Sequence, residues 1–508
     1  MKLPTRCIFY AFPVLILLSS CTSDQRALEP DRMRKTIAED MRTVFPEEGK
    51  GDVLTLDMAI ARAIKFNLDK IIADTESFVA RKDVTLQGLE ALPTASASLS
   101  RIGRNNRGGS SSLSLQTGIQ SLEPSVSTDQ FRNTRKLDAN WNVLDAGIAI
   151  ARARGASDRQ KVSMERRRKV FEEIVTAVYA AYWRAAAAQR AEPQIKSLIA
   201  EADNQIKRLD AATKSGLLPY GDGKTIKGGL LDKRSQLVQL HERLMTAEVG
   251  LKALIALPPG AALHLDTSDR NWLSAETLPR VSRDEDDLFA VALLNRPELR
   301  EQFLNKSISQ RNVLLEIFST FPGASAVLGA NHDANSFLAN PEWFEWTLSL
   351  TQSITKILTL PARYQRAKAD QKLTDQRRQA LIAAVMTQVS VANMRFAHLR
   401  YFYDTVTETD ENTRQIARRA TGFGKTGMMG APQQLGAEID AAIAGVNRMV
   451  VYGDAQEGYA QLLNSLGVDI WDGDAKGMPL PEISSGVRQG LQALEEQVMA
   501  PKTTRKGA

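Results

Sequence analysis

The sequence predicts an α+β membrane protein, mostly α, with long antiparallel coiled-coil hairpins and four transmembrane β-strands in each protomer. Three observations predict it. Residues 151–168, ARARGASDRQKVSMERRR, are matched without a gap by residues 362–379, ARYQRAKADQKLTDQRRQ, 211 positions on, so the chain contains a large duplication. Each copy opens a long, polar, alanine-rich helical run. In the first repeat it extends to about residue 213, and about 63 residues at 1.5 Å each would span about 95 Å, which needs a neighbour alongside. Each run is preceded by segments that alternate apolar or small residues with polar ones, the pattern of a strand.

Composition agrees with this class. A chain of 508 residues would make about three ordinary domains, but no Pro/Gly-rich linker divides it into thirds. The aromatic share is only 6%, which favours long helices packed through small side chains. Residues 1–20 read as a lipoprotein signal peptide: Lys2 and Arg6 precede a short apolar stretch, and Leu18-Ser19-Ser20-Cys21 resembles a bacterial lipobox. Cys21 is then the lipidated N-terminus, carrying diacylglyceryl and palmitate chains, and Thr22 beside it favours sorting to the outer membrane. No other Cys follows, so the mature chain has no internal disulfide. Removing Lys2 and Arg6 lowers the formal charge from +6 to +4, too little to point to nucleic acid. No apolar run of 18 residues follows the signal, so a mature chain that spans a membrane does so as a β-barrel.

The chain divides into a lipid-anchored lead (21–51), a first repeat (52–260), a linker (261–285), a second repeat (286–470) and a C-terminal tail (471–508). The lead is expected to be extended or partly helical. In the first repeat, Leu56, Ile60, Ala63, Ile64 and Leu68 start one helix that runs to about Glu90. Leu92-Pro93 stops it. Residues 95–102 alternate as a strand, 103–133 form a Gly/Ser/Asn-rich loop, and Leu137, Ala139, Trp141 and Val143 mark a second strand. The long helix carries Val170, Ile174, Val178 and Tyr182 on one stripe, with a kink expected at Pro193. Residues 226–256 return alongside it. The second repeat follows the same plan: a helix over 288–319, Phe321-Pro322, a strand over 324–328, a loop over 329–342, a strand over 346–351, the long helix, and a return over 446–466. Pro93 and Pro322 lie 229 apart, against 211 for the long helices, so the first loop is longer by 18 residues, as a surface loop tolerates. A short amphipathic helix and basic tail close the chain from about Met478.

The two long helices end alike. Lys214-Ser215-Gly216-Leu217-Leu218 falls on Lys425-Thr426-Gly427-Met428-Met429 at the same offset of 211, so both helices have one length. Gly216 and Gly427 supply the left-handed conformation of a sharp turn. Two apolar residues at each exposed turn, Leu217 and Leu218 or Met428 and Met429, mark a docking surface. Gly223-Lys224-Thr225 and Gly424-Lys425-Thr426 fail as phosphate loops, because the required earlier glycine is Leu218 or Arg419 and a helix, not a strand, precedes. No catalytic or metal spacing involves His241, His264, His332 or His398, and no G-x-S-x-G motif exists, so nothing points to an enzyme, cofactor or metal.

The doubled order of helix, strand, loop, strand, long helix, turn and return, with the start Leu54-Thr-Leu-Asp-Met-Ala-Ile-Ala-Arg-Ala63 and the junction Trp141-Asn-Val-Leu-Asp-Ala-Gly147, resembles the TolC-type outer-membrane efflux family. The lipobox makes it similar to the lipoprotein, NodT or OprM-like, branch. Four strands cannot close a membrane barrel, since these start at about eight, so oligomers are required. The resemblance implies a homotrimer with a 12-strand barrel and an α-helical periplasmic tunnel. It implies an exit duct of a tripartite efflux or type I secretion system, passive export of small molecules, a periplasmic adaptor (membrane fusion) protein at the helical tips, and an inner-membrane pump of RND, ABC or MFS type. Some members carry acidic residues after the second tip; here Gln433 and Gln434 are the aperture candidates, and the window from Gly430 to Gly436 has no carboxylate. The fourth strand is followed by residues 356–361 in place of the family's glycine-rich exit, which predicts an irregular barrel face. The competing reading is a lipid-anchored periplasmic coiled-coil scaffold without a pore.

Overall fold

The computed structural model describes residues 29–49, 51–121, 123–266, 273, 277–281, 283–471, 473, 475 and 477–499. The signal peptide, Cys21, most of the linker beyond residue 266 and the basic tail lie outside the described residues. The chain begins with helix α1 (Pro30–Val44), a short strand β1 (Val53–Leu54) and helices α2 (Leu56–Phe66) and α3 (Leu68–Leu89). Strand β2 (Thr94–Gly103), a two-residue ribbon of β3 (Gly109–Ser110) and β4 (Ser125–Val126), and strand β5 (Phe131–Asn142) follow. Helix α4 (Val143–Lys214) turns into α5 (Tyr220–Leu254), and β6 (His264–Leu265) pairs in parallel with β1. The second repeat consists of α6 (Glu285–Asn295), α7 (Pro297–Phe318), β7 (Gly323–Asp333), β8 (Glu342–Thr351), α8 (Ile354–Lys425) and α9 (Ala431–Leu466), and α10 (Leu480–Met499) closes the described chain.

The duplication is reproduced element by element. Both long helices have 72 residues, and their starts and ends stand 211 apart. α2 and α6 have 11 residues each, α3 and α7 have 22 each. Local chemistry sets these bounds. The Asn142 side chain accepts from the backbone N–H of Leu144 and Asp145 at the head of α4, and Ser353 does the same for Lys356 at the head of α8; each cap is worth about 1 kcal/mol. Pro193 and Pro361 lie inside the two helices and end neither. Around Pro193 the residues Ala188, Ala191 and Ile195 are buried, and that packing holds the helix through the one hydrogen bond proline removes.

Several expected boundaries are corrected. The first helix is broken at Asn67, whose side chain accepts from the N–H of Asp69 and Lys70 and so starts α3. Its counterpart breaks at Arg296, with Pro297 at the first position of α7. The apolar periodicity runs through both breaks, which is why it predicts single helices. β7 continues to Asp333, so the loop expected from residue 329 begins later; Gly329 sits in the ladder opposite Asp138 and Glu345. The return helices start earlier than expected, at Tyr220 and Ala431, because an exposed helix beginning is polar and glycine-tolerant. Residues 356–361 form the first turns of α8, not an irregular stretch of barrel.

The two long helices are each flanked by two shorter ones set end to end. The Asn67 side chain donates to Leu254 O at the end of α5, joining α3 to α5. Arg296 donates to Asn464 O, joining α7 to α9. At that second join Gly467 has φ 64°, and a Cβ there would stand 2.7 Å from the Arg296 backbone, so only glycine fits. The main core lies at these joins. Ile60, Ile64, Val178, Tyr182, Ile255, Tyr403 and Tyr452 are buried in it, and α10 packs on α2 through Asp57, which accepts from Ser484 and Arg488.

Candidate functional site: an open-edged wall and two glycine turns

The sheet runs β2-β5-β7-β8, antiparallel throughout, and leaves β2 and β8 as free edges. The adjoining helices stand in the same order, α3-α4-α7-α8, with α3 and α8 at the edges. Toward the turns the order is α5-α4-α9-α8. The molecule is a continuous strip of strands above helices, and its two long sides are unpaired.

The two faces of the sheet differ because strand side chains alternate. One face carries the rows Ala97, Leu137, Ala330 and Phe344, then Ala139, Leu328 and Trp346, then Trp141, Ala326 and Leu348. Phe344, Trp346, Leu348 and Leu350 are all exposed. The opposite face carries Ser96, Asp138, Gly329 and Glu345, then Ser98, Lys136, Asn331 and Trp343. The apolar face gives way to Arg135, His332 and Glu342 at the end far from the helices. Near the other end of the sheet Leu89, Leu92, Phe321, Ile354 and Leu358 are exposed as well. Contiguous apolar surface of this extent needs a cover of lipid or protein. The loop beyond the far end is pinned across the strip: Asn335 donates to Ser127 O, and Asp129 accepts from Ser336.

Both glycine turns have one geometry. Gly216 has φ 73° and Gly427 has φ 74°. The Leu217 N–H reaches Ala212 O (3.0 Å) and the Gly216 N–H reaches Thr213 O (3.3 Å); Met428 reaches Phe423 O (2.9 Å) and Gly427 reaches Gly424 O (3.2 Å). This is the paired bonding of a Schellman motif, which satisfies the last carbonyls of the helix. The expectation of two exposed apolar residues per turn is corrected. Leu217 is 83% exposed and Met428 70%, whereas Leu218 packs against the hairpin core and Met429 is half-buried. The second bond in each motif folds the chain back, so each turn presents one apolar residue fully and leaves the next half-buried. Gly223-Lys224-Thr225 lies within α5, and Gly424-Lys425-Thr426 at the end of α8, as no phosphate loop does.

Gln433 and Gln434 lie in the first turn of α9. Gln434 donates to Glu438 Oε1 (3.0 Å), which also accepts from Thr421 of α8 (3.1 Å). The carboxylate missing from the window 430–436 therefore stands one turn further on. Sequence reasoning also missed Asp410. It is fully buried, and it accepts from Arg414 (2.6 Å) on its own helix and from Arg448 (3.3 Å) on α9. Arg448 also donates to Tyr403 Oη and Leu273 O. A polar i, i+4 pair on a helix gives no warning that it is buried.

A second charged cluster lies at the helix joins. Arg168, from the duplicated stretch, donates to Asn295 O, Gly467 O and Asp469. Its counterpart at the 211 offset is Gln379, so this clamp belongs to the first repeat alone. Burial pushes the Glu172 carboxyl up to about 8; Arg168 opposes the rise, and Asp469 and Glu298 add to it. Burial likewise raises Glu165, against the pull of Arg300 and Arg168. His332 faces Glu342 across the ladder and Asp333 holds Arg132, so the two residues turn to opposite faces.

No protein-family model and no curated protein matches the chain. Solved structures do. The chain is similar to the Campylobacter jejuni CmeC outer membrane channel at 14% identity, covering 85% of this chain and 89% of that one with a TM-score of 0.63. It is similar to CusC, a transmembrane channel, at 16% identity, covering 84% and 94% with a TM-score of 0.62. It is similar to the open state of the Neisseria gonorrhoeae MtrE outer membrane channel at 16% identity, covering 81% and 88% with a TM-score of 0.59. At these identities what is shared is the fold.

Proposed function

Starting from a chain that has the fold of the TolC-type outer-membrane channels, we propose that it is the outer-membrane exit duct of a tripartite efflux or type I secretion system. Three copies close edge to edge, β8 of one on β2 of the next and α8 on α3, into a 12-strand barrel above a helical tunnel. The observation that carries this is the strip itself: free edges at the same two sides in both the strand and the helix layers, with an apolar face and a polar face on the strands. Free strand edges demand pairing, and four strands are too few for a membrane barrel. The apolar face then meets lipid, and the polar face, with Asp138, Lys136 and Glu345, lines the passage.

In this reading the protein does no chemistry. Solutes pass down their gradient, with the work done by an inner-membrane pump of RND, ABC or MFS type through a periplasmic adaptor. Gly216-Leu217 and Gly427-Met428 are the contact points for the adaptor, and Gln433, Gln434 and Glu438 border the aperture. Cys21 carries the lipid anchor in the outer membrane. Small molecules are the favoured cargo. The competing scaffold reading would leave Phe344, Trp346, Leu348 and Leu350 in water, which their exposure disfavours. The test is the mass of the purified mature protein in detergent. Trimers that resist heating in detergent support the duct; a stable monomer defeats it.

A further inference from the structure

Helix α1 has no buried residue, yet it is not polar all round. Met33, Ile37 and Met41 recur every four residues and form one stripe. They are 41%, 53% and 52% exposed. An isolated helix of 15 residues is marginal in water, so its stability calls for a cover over that stripe.

Two facts restrict the cover. The first is a tether. Arg62, fully buried on α2, donates to Pro46 O (3.1 Å), to Glu48 O, and to Ile255 O (2.8 Å) just past α5. Pro46 follows α1 by two residues. Asn67, five residues beyond Arg62, binds Leu254 O and starts α3. The 22 residues of α3, about 33 Å, then separate this point from β2. One end of α1 is therefore held about 33 Å from the sheet, while the helix itself is only about 22 Å long. It cannot lie flat in a bilayer that surrounds the sheet. The second fact is position: the tether stands at the foot of α3, an open side of the strip.

We propose that α1 is a strap that crosses this seam and lays Met33, Ile37 and Met41 on α8 of a second copy of the chain. α8 is the opposite free side. A helix about 22 Å long that runs from the tether toward the sheet covers about 11–33 Å from it, and over that depth α8 exposes Tyr364 and Leu373. The eight residues between Cys21 and α1 reach at most about 29 Å when extended, so the strap and a lipid anchor can coexist. The proposal rests on the reading of the chain as one of several identical wall segments.

The experiment uses the full lipidated protein with Ile37→Cys, labelled with an environment-sensitive fluorophore and placed in vesicles with and without spin-labelled lipids. Cys21 is the only other cysteine of the mature chain and is blocked by its lipid. The expected result is a blue-shifted emission in the oligomer that lipid quenchers leave unchanged and that is lost when the oligomer is dissociated. Quenching by lipid would mean that α1 lies in the bilayer, a solvent-like emission that it lies in water, and a shift that survives dissociation that its own chain covers it; each overturns the strap. Oligomer mass and conductance of the same sample separate the two readings. An intact conducting oligomer with an unshifted label defeats the strap alone, whereas a monomer defeats both.

Discussion

At Gly216 and Gly427 no atom lies within 4 Å of where a Cβ would stand, so space does not demand glycine there; the backbone φ of 73° and 74° does. Alanine would cost about 1–2 kcal/mol in that conformation, and proline cannot adopt it. Gly216→Pro or Gly427→Pro is expected to abolish export while trimers remain intact, checked by a transport assay beside oligomer mass. Loss of trimers would mean that the turns serve folding. Buried charge makes two further residue-level predictions. Truncating Asp410 leaves Arg448 with only Tyr403 Oη and Leu273 O as partners, and Asp410→Ala is expected to destabilise the α8–α9 hairpin by about 1–3 kcal/mol, read by chemical denaturation. Glu172 has its folded pKa raised to about 8, above that of the unfolded chain. Between the two values the folded state binds more protons, so stability falls as pH rises through that window and is regained on acidification. The slope is at most about 1.4 kcal/mol per pH unit. Glu172→Gln should flatten the melting temperature between pH 5 and pH 8; an unchanged slope would contradict the assignment.

Among the elements, equality of length is the property that matters. α4 and α8 have 72 residues each, so their turns stand level. Deleting one matched heptad pair from the α8–α9 hairpin alone would raise that turn by about 10 Å. This is expected to reduce export at least tenfold, while the same deletion in both hairpins keeps the turns level and loses far less; a susceptibility or efflux assay decides. This equality was legible in the sequence, because Gly216 and Gly427 keep the 211 offset set by Ala151 and Ala362. The strands were legible from alternation at Leu137, Ala139 and Trp141. What periodicity could not show were the breaks at Asn67 and Arg296, where a cap or a proline resets the helix without disturbing the apolar stripe. The cap signal Asn67-Leu68-Asp69 was present but local, and the hydrogen bonds to Leu254 O and Asn464 O that make these breaks useful join residues far apart in sequence. For the same reason Asp410 and Glu438 escaped notice: their partners Arg448 and Thr421 lie on a facing helix.

At the scale of the whole molecule, the strip has matching free sides in both layers, and closure by identical copies is the simplest way to satisfy the β2 and β8 ladders at once. The same closure would bury α3 and α8 and place the Asp138 and Lys136 face inside. A barrel of 12 strands with a polar interior conducts, whereas a coiled-coil scaffold does not. The most direct test is the current across a planar lipid bilayer containing the purified, lipidated protein. The account predicts discrete, channel-sized conductance steps carried by trimers. A protein that binds the bilayer but gives no steps, with its strands accessible to protease, would contradict it.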